Sequence, residues 1–399
     1  MTSPTAVLSG RLDFFQNPKA DANLVYGPQR QAMLSVAKGE QALEMISTWP
    51  NYQVTDLHLL TSMAEQANIR QIYYKDESTR FGLKSFKALG GAYAVTQFLQ
   101  QHLGQLNGEK PTMVQLLSGQ YKEQLKDVVV SCATDGNHGR SVAWGAQMFG
   151  CQCIIYIHRD VSAGRQAAME AYAARVIRIK GNYDESVRQA AIDAEQYGRW
   201  IISDTSYQGY TEVPANVALG YTVMLSEAVE QLNGVIPTHV FIQAGVGGLA
   251  AAVCGYFWDL WAEQRPRFVV VEPEAANCLQ ESAKAGELKV VEGDLDTLMA
   301  GLACGEVSHI AWDILDQGAD DFITVSEDAV APCMQALEQN NPSIEAGESA
   351  VAGLAACIIG GQHPQWRAAL GLTEQSTVLV LGTEGATDPE LYQQLVFGA

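Results

Sequence analysis

The sequence predicts an α/β protein of two lobes, with parallel-rich sheets covered by helices. Three observations point there. Short β-branched runs recur along the chain, alanine-rich stretches of helical period separate them, and glycine-rich turns follow several of the runs directly. At 399 residues the chain is long enough for two ordinary domains, or for one large body with a smaller lobe inserted. Hydrophobic residues at 47% and charged residues at 18% are ordinary globular usage, which excludes disordered and fibrous classes.

In chain order, the expected strands are Ile72-Tyr73-Tyr74, Val128-Val129-Val130, Ile154-Ile155-Tyr156-Ile157, Val176-Ile177-Arg178-Ile179, Val240-Phe241-Ile242, Phe268-Val269-Val270-Val271 and Val378-Leu379-Val380-Leu381. Several lack polar alternation, so both their faces should be buried, as in parallel sheets. Gly164–Ala174, Glu185–Tyr197, Ala215–Glu230 and Ser349–Gly360 read as helices. Gly104–Lys126 is polar and reads as an irregular surface insertion. Val240–Trp258 is 19 residues without a charge, near spanning length. Gln243, Gly245, Gly247 and Gly248 break it into a strand, a tight turn and a helix start, which argues against a membrane span. Repeats, low-complexity tracts and Pro/Ser-rich linkers are absent, so composition places no lobe boundary.

Charge excludes some partners. With 45 acidic against 25 basic residues the net charge is −20, a sign that repels phosphate backbones and anionic lipid, so neither nucleic acid nor a membrane surface is an expected partner. An anionic ligand would need local donors, and backbone N–H groups are the natural ones. Eight cysteines show no CxxC pair and sit mostly in apolar stretches, so buried thiols and no metal site are expected. The N-terminus lacks a basic segment followed by an apolar run, which predicts a cytoplasmic protein.

Three glycine-rich segments follow or end apolar strands: Thr134-Asp135-Gly136-Asn137-His138-Gly139, Ala244-Gly245-Val246-Gly247-Gly248-Leu249 and Gly382-Thr383-Glu384-Gly385. In the middle one a helix should start at about Gly248, so its free N–H groups and positive dipole end make an anion site, with phosphate the natural occupant. The plain alternative is an ordinary strand-to-helix turn. A dinucleotide fold is disfavoured, because GxGxxG spacing is missing and no acidic residue is expected to end a strand about 20 residues on. The fourth segment, Lys75 to Ala92, leads from a strand through a charged loop and Ser85 into a helix carrying Lys87 near its start. Most lysines are solvated. A lysine at that dipole end, if buried, is expected to favour the neutral amine that attacks a carbonyl.

Four motifs stand in order: Ser85-Phe86-Lys87 with Gly90-Gly91-Ala92, Gly136-Asn137-His138-Gly139, Gly245-Val246-Gly247-Gly248-Leu249, and Gly382-Thr383-Glu384-Gly385. Together they resemble the fold type II pyridoxal-phosphate enzymes related to tryptophan synthase β and to serine and threonine dehydratases, over about 60 to about 390. Asp76-Glu77-Ser78 with Arg80-Phe81-Gly82-Leu83, Ala133-Thr134-Asp135-Gly136-Asn137-His138-Gly139-Arg140, Asp204-Thr205 with Gly209-Tyr210, and Ala346-Gly347-Glu348-Ser349-Ala350 are most similar to the diaminopropionate ammonia-lyase family. The dehydratases carry a small or hydroxyl residue where this chain has Asp135.

The resemblance implies pyridoxal 5'-phosphate as cofactor and Lys87 as the Schiff-base lysine. It implies Asn137 at the phenolic oxygen, Gly245, Val246, Gly247, Gly248 and Leu249 around the phosphate, Thr383 at the pyridine nitrogen and Glu348 near the ring. A large lobe of residues 1–86 and 205–399, a small lobe of 87–204 and a homodimer go with it. The implied reaction converts D- and L-2,3-diaminopropionate to pyruvate and two ammonia. An amine departs poorly without a proton, so carboxylates should bind the β-ammonium, and Asp135 and Asp204 are assigned to catalysis and substrate binding. Asp135, if opposite Lys87, would serve the second enantiomer. The plain alternatives are turn and cap roles for Asn137, Thr383, Asp135 and Asp204, and packing for His138. A serine or threonine dehydratase of the same fold and a non-catalytic cofactor-binding protein are the rival functions.

Overall fold

The computed structural model describes residues 8–134 and 136–398. Within them are strands β1 (Leu12–Gln16), β2 (Leu57–Leu59), β3 (Gln71–Asp76), β4 (Val129–Ala133), β5 (Gln152–Ile157), β6 (Arg175–Arg178), β7 (Trp200–Ile201), β8 (His239–Gln243), β9 (Arg267–Pro273), β10 (Asp321–Val325) and β11 (Thr377–Gly382). Seven form a sheet ordered β1-β10-β9-β8-β11-β3-β2, and four form a second ordered β6-β5-β4-β7. The small sheet is parallel throughout. The large one is parallel from β10 to β3, with β1 and β2 as antiparallel edges.

The apolar runs became strands covered on both faces. Every residue of β8, β10 and β11 is buried. Their side chains alternate between two cores, as the strand period of 2 requires. Val240, Ile242, Phe268, Val270, Leu379 and Leu381 point into one cluster, which continues to Val130, Cys132 and Ile155 of the small sheet. Phe241, Val269, Val271, Val378 and Val380 point into the other. Helix Lys87–Asn107 lies in the shared cluster and packs on helices Asn137–Phe149 and Glu212–Gln231. Gly90 and Gly91 permit that close packing: a Cβ on Gly90 would stand 2.6 Å from the Val217 carbonyl, and one on Gly91 2.5 Å from Ser141 Oγ.

Three expectations need correction. Gly104–Lys126 is not irregular: the helix runs on to Asn107, and short helices Met113–Leu117 and Lys122–Leu125 follow. Each buries only one apolar anchor, Leu116 or Leu125, so no periodicity shows, although Thr112 and Gln115 form a capping box. An acidic residue does end a strand at the dinucleotide spacing, namely Glu272 on β9. It is fully buried and accepts from the N–H groups of Leu279 and Gln280 at 2.8 Å, so it caps the next helix, and burial pushes its carboxyl up to about 8. Expected helices also shift at their ends, to Ala163–Glu170, Tyr183–Tyr197, Glu212–Gln231 and Ala352–Gln362.

Val240–Trp258 divides as its glycines require, into β8 and helix Gly248–Trp261. Among the described residues no helix is long and apolar enough to cross a membrane, and no cluster of His, Cys, Asp or Glu has the arrangement of a metal site. Seven cysteines are buried, Cys304 is half-buried, and none forms a disulfide.

Candidate active site

The glycine-rich loops converge because they leave the same ends of neighbouring parallel strands. β8, β11 and β3 are adjacent in the large sheet, and their C-terminal ends lead to Ala244–Gly248, Thr383–Gly385 and Glu77–Phe86. β4 and β7 are adjacent in the small sheet and lead to Thr134–Asn137 and Ile202–Asp204. Carboxyl ends of parallel strands are where open α/β sheets bind ligands. The Lys87 loop is stitched to the last glycine motif. The Phe86 N–H donates to the Thr383 carbonyl at 3.0 Å, and the Gly385 N–H donates to the Lys84 carbonyl at 3.0 Å.

Lys87 is the first residue of its helix. Its Nζ donates to Asp204 Oδ2 at 2.5 Å, and the two side chains are 23% and 18% exposed, so it is no solvated surface lysine. The expected neutral amine is not what this arrangement holds. Burial works against the ammonium, but the Asp204 carboxylate outweighs it and raises the Lys87 pKa above its ordinary value. Burial works against the Asp204 carboxylate too, but Lys87 holds it well below the usual carboxylate range. The resting pair is therefore ionic. His138 lies behind it: its Nε2 is 2.8 Å from the Ile202 carbonyl and its Nδ1 is 3.8 Å from Asp204 Oδ2. The expected packing and hydrogen-bonding role is present, and a charged neighbour comes with it.

Gly247 has φ 92°, left-handed backbone that suits glycine, and Gly248 opens the 14-residue helix Gly248–Trp261. A Cβ on Gly248 would meet only the Asp204 main-chain carbonyl, at 3.5 Å, so the positive end of this helix adjoins the Asp204 backbone. A Cβ on Gly245 would stand 2.9 Å from Cys304 Sγ. The Ser308 N–H donates to the Val246 carbonyl at 2.9 Å, and Ser308 Oγ lies 2.8 Å from Ser206 Oγ, tying this loop to the segment after Asp204.

The buried Thr383 Oγ1 accepts from Gln243 Nε2 at 2.9 Å, which leaves its own hydroxyl hydrogen to donate. Asn137 Nδ2 donates to Glu384 Oε2 at 2.5 Å, and Glu384 Oε1 accepts from the Ser349 N–H at 3.3 Å. Glu348 pairs with Arg165 at 3.2 Å, yet burial and the neighbouring Glu384 push its carboxyl up to about 7. Glu384 is likewise raised by burial.

Lys87 and Asp204 are thus brought together directly, with Gly248 beside the Asp204 backbone. Asn137, Thr383 and Glu348 gather around Glu384, a residue that sequence reasoning quoted inside a motif without giving it a role. Gln243 was legible as a lone polar residue in an apolar run, whereas Arg165 carried no local signal. Asp135 lies outside the described residues.

A family model for pyridoxal-phosphate dependent enzymes matches residues 48–384. The chain is 36% identical over 387 residues to diaminopropionate ammonia-lyase of Escherichia coli (strain K12), with 94% of this chain and 95% of that one covered. The chain belongs to the diaminopropionate ammonia-lyase family. A crystal structure of the Escherichia coli diaminopropionate ammonia-lyase, in complex with an aminoacrylate–pyridoxal-phosphate azomethine reaction intermediate, superposes with a TM-score of 0.87 at 34% identity, covering 98% of each chain. A biosynthetic L-threonine dehydratase of Corynebacterium glutamicum is 26% identical over 261 residues, 61% of this chain and 58% of that one.

The residues fit the ammonia-lyase family's cofactor. The helix start at Gly248 offers N–H groups to a phosphate, Thr383 has an unspent hydroxyl hydrogen for a ring nitrogen, and Asn137 retains one amide N–H. Lys87 is linked to the helix start through Asp204 and to Thr383 through the bond of its neighbour Phe86.

Proposed function

We propose that this chain converts 2,3-diaminopropionate, in D and L forms, to pyruvate and two ammonia. The observation that carries the reading is the part-buried Asp204 carboxylate holding an ammonium at 2.5 Å, on a residue whose backbone carbonyl lies beside the start of helix Gly248–Trp261. When bound, pyridoxal phosphate supplies the electron sink that stabilises the carbanion left by loss of the α-proton. The protein's residues do the rest. The backbone from Gly245 to Leu249 holds the phosphate, Asn137 the phenolic oxygen, and Thr383 donates to the pyridine nitrogen. A hydroxyl there leaves that nitrogen largely unprotonated, which suits elimination over transamination. Glu384 holds Asn137 in place, and Glu348 lies near the ring.

Lys87, once free as an amine, takes the α-proton. Until that proton arrives Lys87 carries no charge, so Asp204 lacks its lysine cation, and a part-buried carboxylate without that partner is costly. The substrate's β-ammonium takes the vacated seat and departs carrying its own proton. Serine brings only a hydroxyl to that seat. This favours the ammonia-lyase reading over a dehydratase, and a non-catalytic binder would have no use for the seat. Comparing turnover of 2,3-diaminopropionate with serine tests it. The diamino acid should be preferred by at least the roughly 10²-fold that one well-placed proton-handling contact supplies, and equal turnover would contradict the assignment of Asp204.

Asp135 is proposed as the base for the enantiomer whose α-hydrogen faces away from Lys87. Asp135→Asn should abolish turnover of one enantiomer far more than the other, and equal loss of both would end the two-base idea. We further propose lobes of 1–86 with 205–399 and of 87–204, supported by the small sheet's strands all falling between residues 129 and 201. A cytoplasmic homodimer, acting on a small amino acid without nucleic-acid or membrane partners, completes the reading. The net charge of −20 supports the excluded partners.

A further inference from the structure

We propose that His138 is the proton store of the Asp204 carboxylate, taking a proton at Nδ1 whenever Lys87 is engaged with the cofactor and can no longer serve as Asp204's cation. The inference rests on the reading that Lys87 attaches the cofactor.

His138 is 4% exposed. A carbonyl oxygen only accepts, so the 2.8 Å contact with the Ile202 carbonyl makes Nε2 the protonated nitrogen. Nδ1 of the neutral ring is then an acceptor, and no donor reaches it; it is a buried polar atom without a hydrogen-bond partner. It faces Asp204 Oδ2 at 3.8 Å, the same oxygen that holds Lys87. Two acceptors face each other there, an arrangement tolerated because Lys87 neutralises the carboxylate. The remaining titratable groups around Asp204 are Cys132 of β4, Tyr210, and Tyr221 of helix Glu212–Gln231. Burial raises all three above their ordinary values, so none supplies a charge. Burial likewise holds His138 neutral while Lys87 is present.

Lys87 must lose a proton before its nitrogen can attack the cofactor's aldehyde carbon. Asp204 is the carboxylate in hydrogen-bond contact with Lys87 Nζ, and a shift of under about 1 Å brings Nδ1 within hydrogen-bond range of the same oxygen. The proton passes from Nζ to Asp204 and on to Nδ1. The neutral amine forms the C–N bond, and the aldehyde oxygen leaves as water with the two remaining Nζ hydrogens. Asp204 stays ionised, now paired with the imidazolium, and remains ready for a substrate ammonium. The charge of the pocket is unchanged.

Ring-nitrogen NMR shifts of His138, compared between holoenzyme and cofactor-stripped protein at pH 7, test this directly. We expect an imidazolium in the holoenzyme and a neutral ring, protonated at Nε2, in the stripped protein. A neutral ring in both would overturn the proposal. A second arm follows the growth of visible absorbance when pyridoxal phosphate is added to stripped protein across pH 6–9. His138→Gln keeps a donor for the Ile202 carbonyl but no store, so its rate at neutral pH should fall on the order of 10²-fold and recover as pH rises. A variant that is less stable but keeps the wild-type pH profile would mean a structural role and contradict the proposal. Wild-type protein that never becomes yellow would instead defeat the cofactor reading on which the inference rests.

Discussion

Asp204 is the residue on which the local chemistry turns. In the resting protein it is a part-buried anion matched by Lys87 at 2.5 Å, with each group's charged form favoured by the other. The pH consequence follows from the two directions. Asp204, depressed, contributes stability above about pH 4 that is lost as pH falls toward its folded value, and Lys87, raised, contributes below about pH 10 and loses it on further alkalinisation. Asp204→Asn should therefore destabilise the cofactor-free protein at pH 7 and progressively less below pH 4, read from urea midpoints. An equal deficit at both pH values would contradict the ion-pair account. The same variant should lose turnover by about 10²–10⁴-fold. Lys87 and Asp204 were legible from their motifs, but their pairing was not, because it joins positions 117 residues apart in the chain. The expectation of a neutral amine considered burial and the helix dipole while the neighbour stayed invisible.

At the scale of elements, the loop that delivers Lys87 is held in an uncommon conformation by a buried ionic cluster. Phe81 (φ 51°), Gly82 (φ 72°) and Lys84 (φ 54°) are left-handed, which costs the two non-glycine residues roughly 1–2 kcal/mol each. Packing offsets this: the Phe81 ring lies 4.7 Å from Trp144 and 6.0 Å from Trp49 between centroids. Arg80, 1% exposed, binds Glu77 at 2.8 Å and Glu227 at 2.7 Å, and Lys75 reaches the same Glu227 oxygen at 2.8 Å. Removing one partner from such a cluster leaves uncompensated buried charge. Arg80→Ala should cost about 3–5 kcal/mol in urea unfolding, and a loss under about 1 kcal/mol would show the cluster is not what holds the loop. Asp76-Glu77-Ser78-Thr79-Arg80 read simply as a charged loop, since Glu227 sits on a distant helix. Strands were more legible than this loop because burial on both faces leaves an unbroken apolar run that needs no partner to be recognised.

For the whole molecule, the proposed cofactor cleft lies where the small-sheet segment meets the loops of the large sheet. Asn137 bonds Glu384, Arg165 pairs with Glu348, and Arg140 Nη1 donates to the Leu83 carbonyl at 3.1 Å. The order of the glycine motifs along the chain foretold that they would meet, because each ends a parallel strand. It did not foretell Arg165 or Glu384, whose roles come from the approach of two sheets. A net charge of −20 places the burden of holding an anionic cofactor on local groups, and the helix starting at Gly248 is the group the architecture supplies. The central claim is that this cleft removes both amino groups from 2,3-diaminopropionate. It is tested most directly by incubating the purified yellow protein with that substrate and measuring pyruvate and ammonia together. Two ammonia are expected for every pyruvate, whereas one ammonia per pyruvate, or no pyruvate at all, would contradict the proposed reaction.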